Sequence, residues 1–392
     1  MTTLLLTFWT VLLIALVAVG LPVSAFAQTA FYTTRPGDLD GPPGSLIRAE
    51  HVAGGPANAT SWRVLYGSRG MDGGIIPVSG MVMIPTAPIP SGGRFIVAWA
   101  HPTTGVEDQC APSLARVFFR SVQGLDDMLA RGYIVTATDY PGLGTAGPHP
   151  YLVGISEGRA VLDSVRAAAA LPNADAGRSF AVWGHSQGGQ AALFAGLLAR
   201  QYAPGWNLEG IAAAAPATEL ATLLKDDIDS DGGRNLTAMT LWSWSRVYGA
   251  SLSTIVMPQA VPVIDHLAGL CIERWFDMLS RHGPTGALRR RFLKTRDFAD
   301  LPPWRQLLAQ NTPGLLPRGI PVFLAQGSAD QLVRPQVTAA YARALCRNGS
   351  NVTYDSVNGV GHGFIARDVA PAAIAWMTDR FAGRPSVSSC PP

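Results

Sequence analysis

The chain has 392 residues, 48% of them hydrophobic and 15% charged, enough for one large domain or two ordinary ones and too apolar for a disordered protein. Its formal net charge of +3 is spread without a long run of like charges, so nucleic-acid binding and a polybasic membrane arm are both excluded as leading readings. The densest basic stretch, "RRRFLKTR" at 289–296, reads as a solvated helix face.

Residues 4–19, "LLLTFWTVLLIALVAV", are almost continuously apolar, and Ala25-Phe26-Ala27 follows as a small-residue cleavage site. This predicts a signal peptide over 1–27, a mature chain from Gln28, and an extracellular or periplasmic product. No Lys or Arg precedes the apolar run, and it is just short of the ~20 residues that span a bilayer, so an uncleaved N-terminal anchor is the alternative. Export permits disulfides among Cys110, Cys271, Cys346 and Cys390, for which three pairings exist. No Cys-x-x-Cys pair is present, which argues against a zinc site.

Residues 62–84 read as two or three antiparallel strands with glycine turns. Short apolar runs at 94–100, 132–139, 179–184, 210–216, 320–327 and 351–357 have the character of buried parallel strands. Helical spacing of apolar residues marks 156–171, with Ser156 as its expected cap, and 187–200. Strands alternating with helices predict an α/β protein with a mostly parallel sheet covered on both faces. From 217 to 316 the rhythm breaks into helix-like, proline-punctuated segments carrying Leu241, Trp242, Trp244, Val247, Tyr248, Trp275 and Phe276. A structureless loop of that length is uncommon in a compact domain, so 217–316 is expected to be a helical cap inserted into a core of 28–216 and 317–392. An additional layer of core is the simpler alternative.

"WGHSQGG" at 183–189 places Ser186 between small residues where a strand turns into a helix. This Gly-x-Ser-x-Gly corner is the nucleophile elbow of α/β-hydrolases. A serine hydroxyl needs a histidine base that is itself oriented by a carboxylate, in the chain order Ser, acid, His. Asp330 lies just beyond the strand-like "IPVFLAQG", and His362 just past the next strand between Gly361 and Gly363. His51 and His149 come too early, His266 and His282 belong to the insertion, and His185 should point away from the nucleophile as a structural residue. Asp355 sits inside a predicted strand and is the weaker acid candidate.

An oxyanion requires two further donors. Gln187 offers the backbone N–H after the nucleophile; in "AHPTTG" at 100–105 Pro102 has no N–H, leaving Thr103 or Thr104. "DDIDSDGG" from Asp226 has calcium-loop spacing at Asp227, Asp229 and Asp231, but Ala238 stands where the bidentate Glu belongs, so an acidic helix end is the better reading. Sequons at Asn58, Asn235, Asn348 and Asn351 matter only in a glycosylating host.

With these residues located, the stretches "AWAHPTTG", "ATDYPGLGTAGPHPYLVGISEGRAVLDSVRAA", "VWGHSQGGQAAL", "GSADQLVRP" and "NGVGHGF" resemble the secretory lipase family typified by Candida antarctica lipase A. The resemblance covers about 31–384 and implies the α/β-hydrolase fold, with Ser186, Asp330 and His362 matching the triad and 217–316 the helical lid. It also favours pairing Cys110 with Cys271 and Cys346 with Cys390. The expected activity is hydrolysis of carboxylic esters, foremost a triacylglycerol lipase acting through an acyl-enzyme, with a lipophilic ester as partner, a lipid–water interface as candidate surface, and no metal or organic cofactor. The rivals are a short-chain esterase, a polyester hydrolase or an acyltransferase with the same triad, and, from another class, a non-catalytic binding protein on this fold.

Overall fold

The computed structural model describes residues 30–273, 277–289 and 292–391; the predicted leader and Trp275 and Phe276 lie outside the described residues. Residues 34–391 fold around a nine-stranded sheet. Its strands are β1 (Leu46–His51), β2 (Ala59–Arg69), β3 (Ile75–Pro85), β4 (Arg94–Ala100), β5 (Ile134–Thr138), β6 (Ala176–His185), β7 (Asn207–Ala214), β8 (Val322–Gly327) and β9 (Val352–Val357). Across the sheet they lie in the order β1-β2-β3-β5-β4-β6-β7-β8-β9. The first three strands and β5 pair antiparallel, and β5, β4, β6, β7, β8 and β9 are parallel neighbours. All six buried runs marked in the sequence are strands, with boundaries moved by a few residues.

The helices that flank the sheet are α1 (Leu125–Ala130), α2 (Gly154–Ala169), α3 (Gln187–Tyr202), α4 (Leu220–Asp226), α5 (Asp231–Val247), α6 (Val261–Ala268), α7 (Asp277–Ala287), α8 (Trp304–Asn311), α9 (Pro335–Arg347) and α10 (Ile365–Phe381). Alternation along each strand decides which layer a side chain joins. On β6, Phe180 and Val182 pack with Ala160 to Ala168 of α2, Ala191 to Ala199 of α3, and Tyr341 and Leu345 of α9. Ala181 and Trp183 face the other way, toward Met128 and Leu129 of α1 and Ile374 and Met377 of α10.

That second layer runs without a break into α4 to α8, so Leu220, Leu241, Trp244 and Trp304 share one buried cluster with Trp99 and Trp183 of the sheet. Among the described residues the insertion's β-structure is a single isolated bridge, Val256 to Leu293.

Two local expectations are corrected. Helix α2 starts at Gly154 with Val153 as its uncapped N-cap, and Ser156 is buried inside the first turn. The carboxyl of Glu157, also in that turn, reaches back and accepts from the Leu152 N–H at 2.9 Å, just ahead of the helix. The basic stretch near 289–296 is no helix over Phe292–Arg296. Arg289 donates to both carboxyl oxygens of Asp231, at 3.1 and 2.6 Å, and Arg296 to those of Asp229, at 2.9 and 2.7 Å. Asp229 and Asp231 are therefore ion-pair partners beside the start of α5, which Ser230 caps by accepting from Gly233 N–H at 2.9 Å.

Disulfides join Cys110 to Cys271 and Cys346 to Cys390, as the resemblance implied. The first ties the loop after β4 to the insertion, and the second ties the end of α9 to the C-terminal tail. Closing the 44-residue loop between Cys346 and Cys390 contributes about 4 kcal/mol in the chain-entropy account. Replacing both cysteines by serine should lower urea-denaturation stability by about 2–4 kcal/mol while leaving ester hydrolysis at 25 °C unchanged, because this bridge lies away from Ser186.

Candidate active site

Strand β6 ends at His185 and α3 begins at Gln187, so Ser186 alone makes the turn, with φ 57° and ψ −118°. A non-glycine residue held there stores about 1–3 kcal/mol of strain, tolerated only where the surroundings fix it. Two glycines provide that fixation. A Cβ on Gly184 would stand 2.1 Å from the Gly188 carbonyl oxygen, and one on Gly188 would stand 1.9 Å from the Ala100 carbonyl oxygen. Their bare backbones let α3 close against β6 and the end of β4, while Ser186 N–H donates to Ala214 O at 3.0 Å.

The partners come from the loops after β8 and β9, which are stitched together. Ser328 N–H donates to Val357 O at 2.9 Å, Ala329 N–H to Val360 O at 3.0 Å, and Gly359 N–H to the Ser328 hydroxyl at 2.8 Å. The result is a continuous chain: His362 Nε2 lies 2.8 Å from Ser186 Oγ, and His362 Nδ1 lies 2.8 Å from Asp330 Oδ2. Asp330 Oδ1 accepts from the Leu332 and Val333 N–H groups, both at 2.9 Å, and Oδ2 also accepts from Gln326 Nε2 at 3.0 Å. Burial works against ionisation of Asp330, but the facing His362 and these donors outweigh it and hold the carboxyl below the usual carboxylate range. An ionised Asp330 fixes the proton of His362 on Nδ1, leaving Nε2 to accept the Ser186 proton.

His185 is a structural residue here. Burial first, then the neighbouring His362, pushes its pKa down to about 3, and its Nε2–H donates to the His362 carbonyl at 2.9 Å. Gln187 occupies the first position of α3, where a backbone N–H has no helical partner. Thr103 and Thr104 part company. The Thr103 hydroxyl is 2.9 Å from the phenol of Tyr151, which lines the cleft at Ser186. Thr104 instead lines a neighbouring cavity with Cys110 and Cys271, and its carbonyl accepts from Ile272 N–H at 2.8 Å. His101 is buried behind this loop, its Nδ1 2.7 Å from Pro102 O. Asp355 pairs with Ala325 inside the sheet.

The cleft beside Ser186 encloses about 420 Å³, its open mouth included. Leu220, Leu223 and Leu224 of α4, Leu236 of α5, and Leu332 give it an apolar wall. Sequence reasoning missed this lining, and it also missed Gln326, Tyr151 and a buried Glu157. The one local sign of Glu157 was a carboxyl on an otherwise apolar face of the 154–169 helix.

A serine, histidine and carboxylate in register at strand ends, opening on an apolar cleft, define a carboxylic ester hydrolase of the α/β-hydrolase fold. Residues 122–389 match the secretory lipase family, and the chain belongs to that family. It is 28% identical over 352 residues to Lipase 5 of Candida albicans, covering 84% of this chain and 74% of that protein. A relative from Mycobacterium tuberculosis described as a probable inactive lipase is 25% identical over 384 residues, covering 91% and 82%. Among solved structures, Candida antarctica lipase A in its closed state superposes with a TM-score of 0.75 at 20% identity, over 92% of this chain and 88% of that one. A rice cell wall degrading esterase from Xanthomonas oryzae does so with a TM-score of 0.69 at 18% identity, over 88% and 100%. These two likenesses establish the fold.

The depressed Asp330 carboxyl predicts a pH signature. The unfolded carboxyl titrates near 4, so the native state gains from the carboxylate above that pH and loses the gain as pH falls through the lower native value. Asp330→Asn should therefore be less stable than wild type at pH 7, and urea midpoints of the two proteins should converge as pH falls below about 4. A gap that stays constant across that range would mean the carboxylate is not held ionised.

Proposed function

We propose that the protein is a secreted triacylglycerol lipase working through Ser186, His362 and Asp330. Ser186 Oγ attacks the ester carbonyl while His362 Nε2 takes its proton. His362 then returns the proton to the departing alcohol, leaving the acyl group on Ser186. Asp330 orients the imidazole and stabilises its charged form. Water, deprotonated by the same histidine, releases the fatty acid and restores Ser186. The Gln187 N–H, together with the backbone or hydroxyl of Thr103, with Thr104 as the alternative, receives the oxyanion of each tetrahedral intermediate.

The observation that carries this reading is the unbroken hydrogen-bond chain from Asp330 to Ser186 at the edge of a leucine-lined cleft. Its apolar wall suits an acyl chain and offers no charged group for a peptide or sugar. We assign 28–216 and 317–392 to the hydrolase core and 217–316 to a cap whose helices α4 and α5 cover the acyl site. Residues 1–27 act as the export signal in this reading; among the described residues no helix is long and apolar enough to cross a membrane.

The test is hydrolysis of tributyrin and triolein emulsions by the secreted protein and by Ser186→Ala. Wild type should cleave both, and the variant should lose at least about 10⁴-fold in rate while remaining folded. Cleavage of tributyrin alone would make the protein a short-chain esterase. A variant as active as wild type would overturn the assignment of Ser186.

A further inference from the structure

A buried polar cluster lies behind Gln187 that the reaction as written does not use. Glu157, in the first turn of α2, is fully buried, and its Oε1 accepts two hydrogen bonds. One comes from the side-chain Nε2 of Gln187 at 2.7 Å and the other from the backbone N–H of Leu152 at 2.9 Å. Gln187 and Leu152 both line the cleft at Ser186. Leu152 is held in the left-handed region, φ 55°, which a residue carrying a Cβ seldom adopts unaided. The second proton of the Gln187 amide points to His149 Nε2 at 3.0 Å. That ring is fixed in turn: its Nδ1 is 2.8 Å from the Pro141 carbonyl, and burial keeps it neutral by pushing its pKa down to about 3.

From this geometry we infer that Glu157 is a positioning residue for the oxyanion site, acting through the Gln187 side chain to fix the peptide plane whose N–H faces the substrate oxygen. The inference rests on the reading of Ser186 as nucleophile and the Gln187 N–H as an oxyanion donor. A single carboxyl oxygen holds two walls of the cleft, so losing it frees both the strained Leu152 turn and the first residue of α3. An oxyanion donor acts on the transition state more than on bound substrate, and small displacements of it are costly. The defect should therefore appear in kcat and leave KM nearly unchanged. Burial also raises Glu157 to about 8, so glutamine matches its neutral form in shape and keeps the acceptor.

The experiment compares wild type, Glu157→Ala, Glu157→Gln, Gln187→Ala and the Glu157→Ala/Gln187→Ala double variant on p-nitrophenyl butyrate. Rates are expressed per site titrated with an alkyl fluorophosphonate, which removes any unfolded fraction. Glu157→Ala should lose about 10- to 100-fold in kcat with KM within about twofold, and Glu157→Gln should stay within about threefold of wild type. The double variant should be no slower than the slower single variant, because the two residues act as one unit. Wild-type kcat per titrated site in Glu157→Ala would overturn the inference, as would losses that multiply in the double variant. Should Glu157→Ala fail to fold, Glu157→Asp, which retracts the acceptor by one methylene, carries the same comparison. Failure of the underlying reading looks different: wild type would then take up no phosphonate, or Ser186→Ala would hydrolyse normally.

Discussion

Everything at this site depends on how closely α3 approaches the end of β4. Gly188 lies against the Ala100 carbonyl with no room for a methyl group, and that contact holds Ser186 in its strained turn at the top of the sheet. Ser186 is thereby presented away from the helix and the strand. The loops after β8 and β9 can then bring Asp330 and His362 to it from one side, and the loop after β4 can bring Thr103 from the other. The strain is affordable because the corner is built into the central strand, with Phe180, Val182 and Trp183 anchoring it in both layers of the core.

The insertion between β7 and β8 belongs to the same economy of contacts. Its helices do not float above the sheet; Leu220, Trp244 and Trp304 continue the cluster that contains Trp183. The leucine face of α4 looks into the cleft while the Cys110–Cys271 bridge ties the far side of the insertion to the loop carrying Thr103 and Thr104. Charge is handled locally. Asp229 and Asp231 neutralise Arg296 and Arg289, and Lys225 meets Asp297 at 2.9 Å. These exposed pairs contribute little stability each, in keeping with the median for surface ion pairs.

The sheet was legible because its strands are short apolar runs bounded by glycine and proline, and the order of Ser186, Asp330 and His362 was legible because each sits just past such a run. What stayed hidden depends on burial that no local pattern reports. Ser156 has the right identity for a helix cap, yet the helix begins two residues earlier and takes Ser156 into its buried first turn. "RRRFLKTR" has the charge of a solvated helix face, yet Arg289 and Arg296 are drawn to aspartates about sixty residues earlier in the chain. His149 was set aside for its early position; it has no place in the hydrogen-bond chain of Ser186 but braces the residue beside it. Gln326 gave no signal at all, since its role appears only when β8 delivers it next to Asp330.

The central claim is that Ser186 is the nucleophile of a site whose acyl pocket is the leucine-lined cleft. A crystal structure of the protein after reaction with a p-nitrophenyl octylphosphonate tests it most directly. The account predicts a covalent bond from phosphorus to Ser186 Oγ, a phosphoryl oxygen within hydrogen-bond reach of the Gln187 N–H, and the octyl chain against Leu220, Leu223 and Leu236. A phosphonate attached elsewhere, or bound at Ser186 with its chain lying outside the cleft, would contradict it.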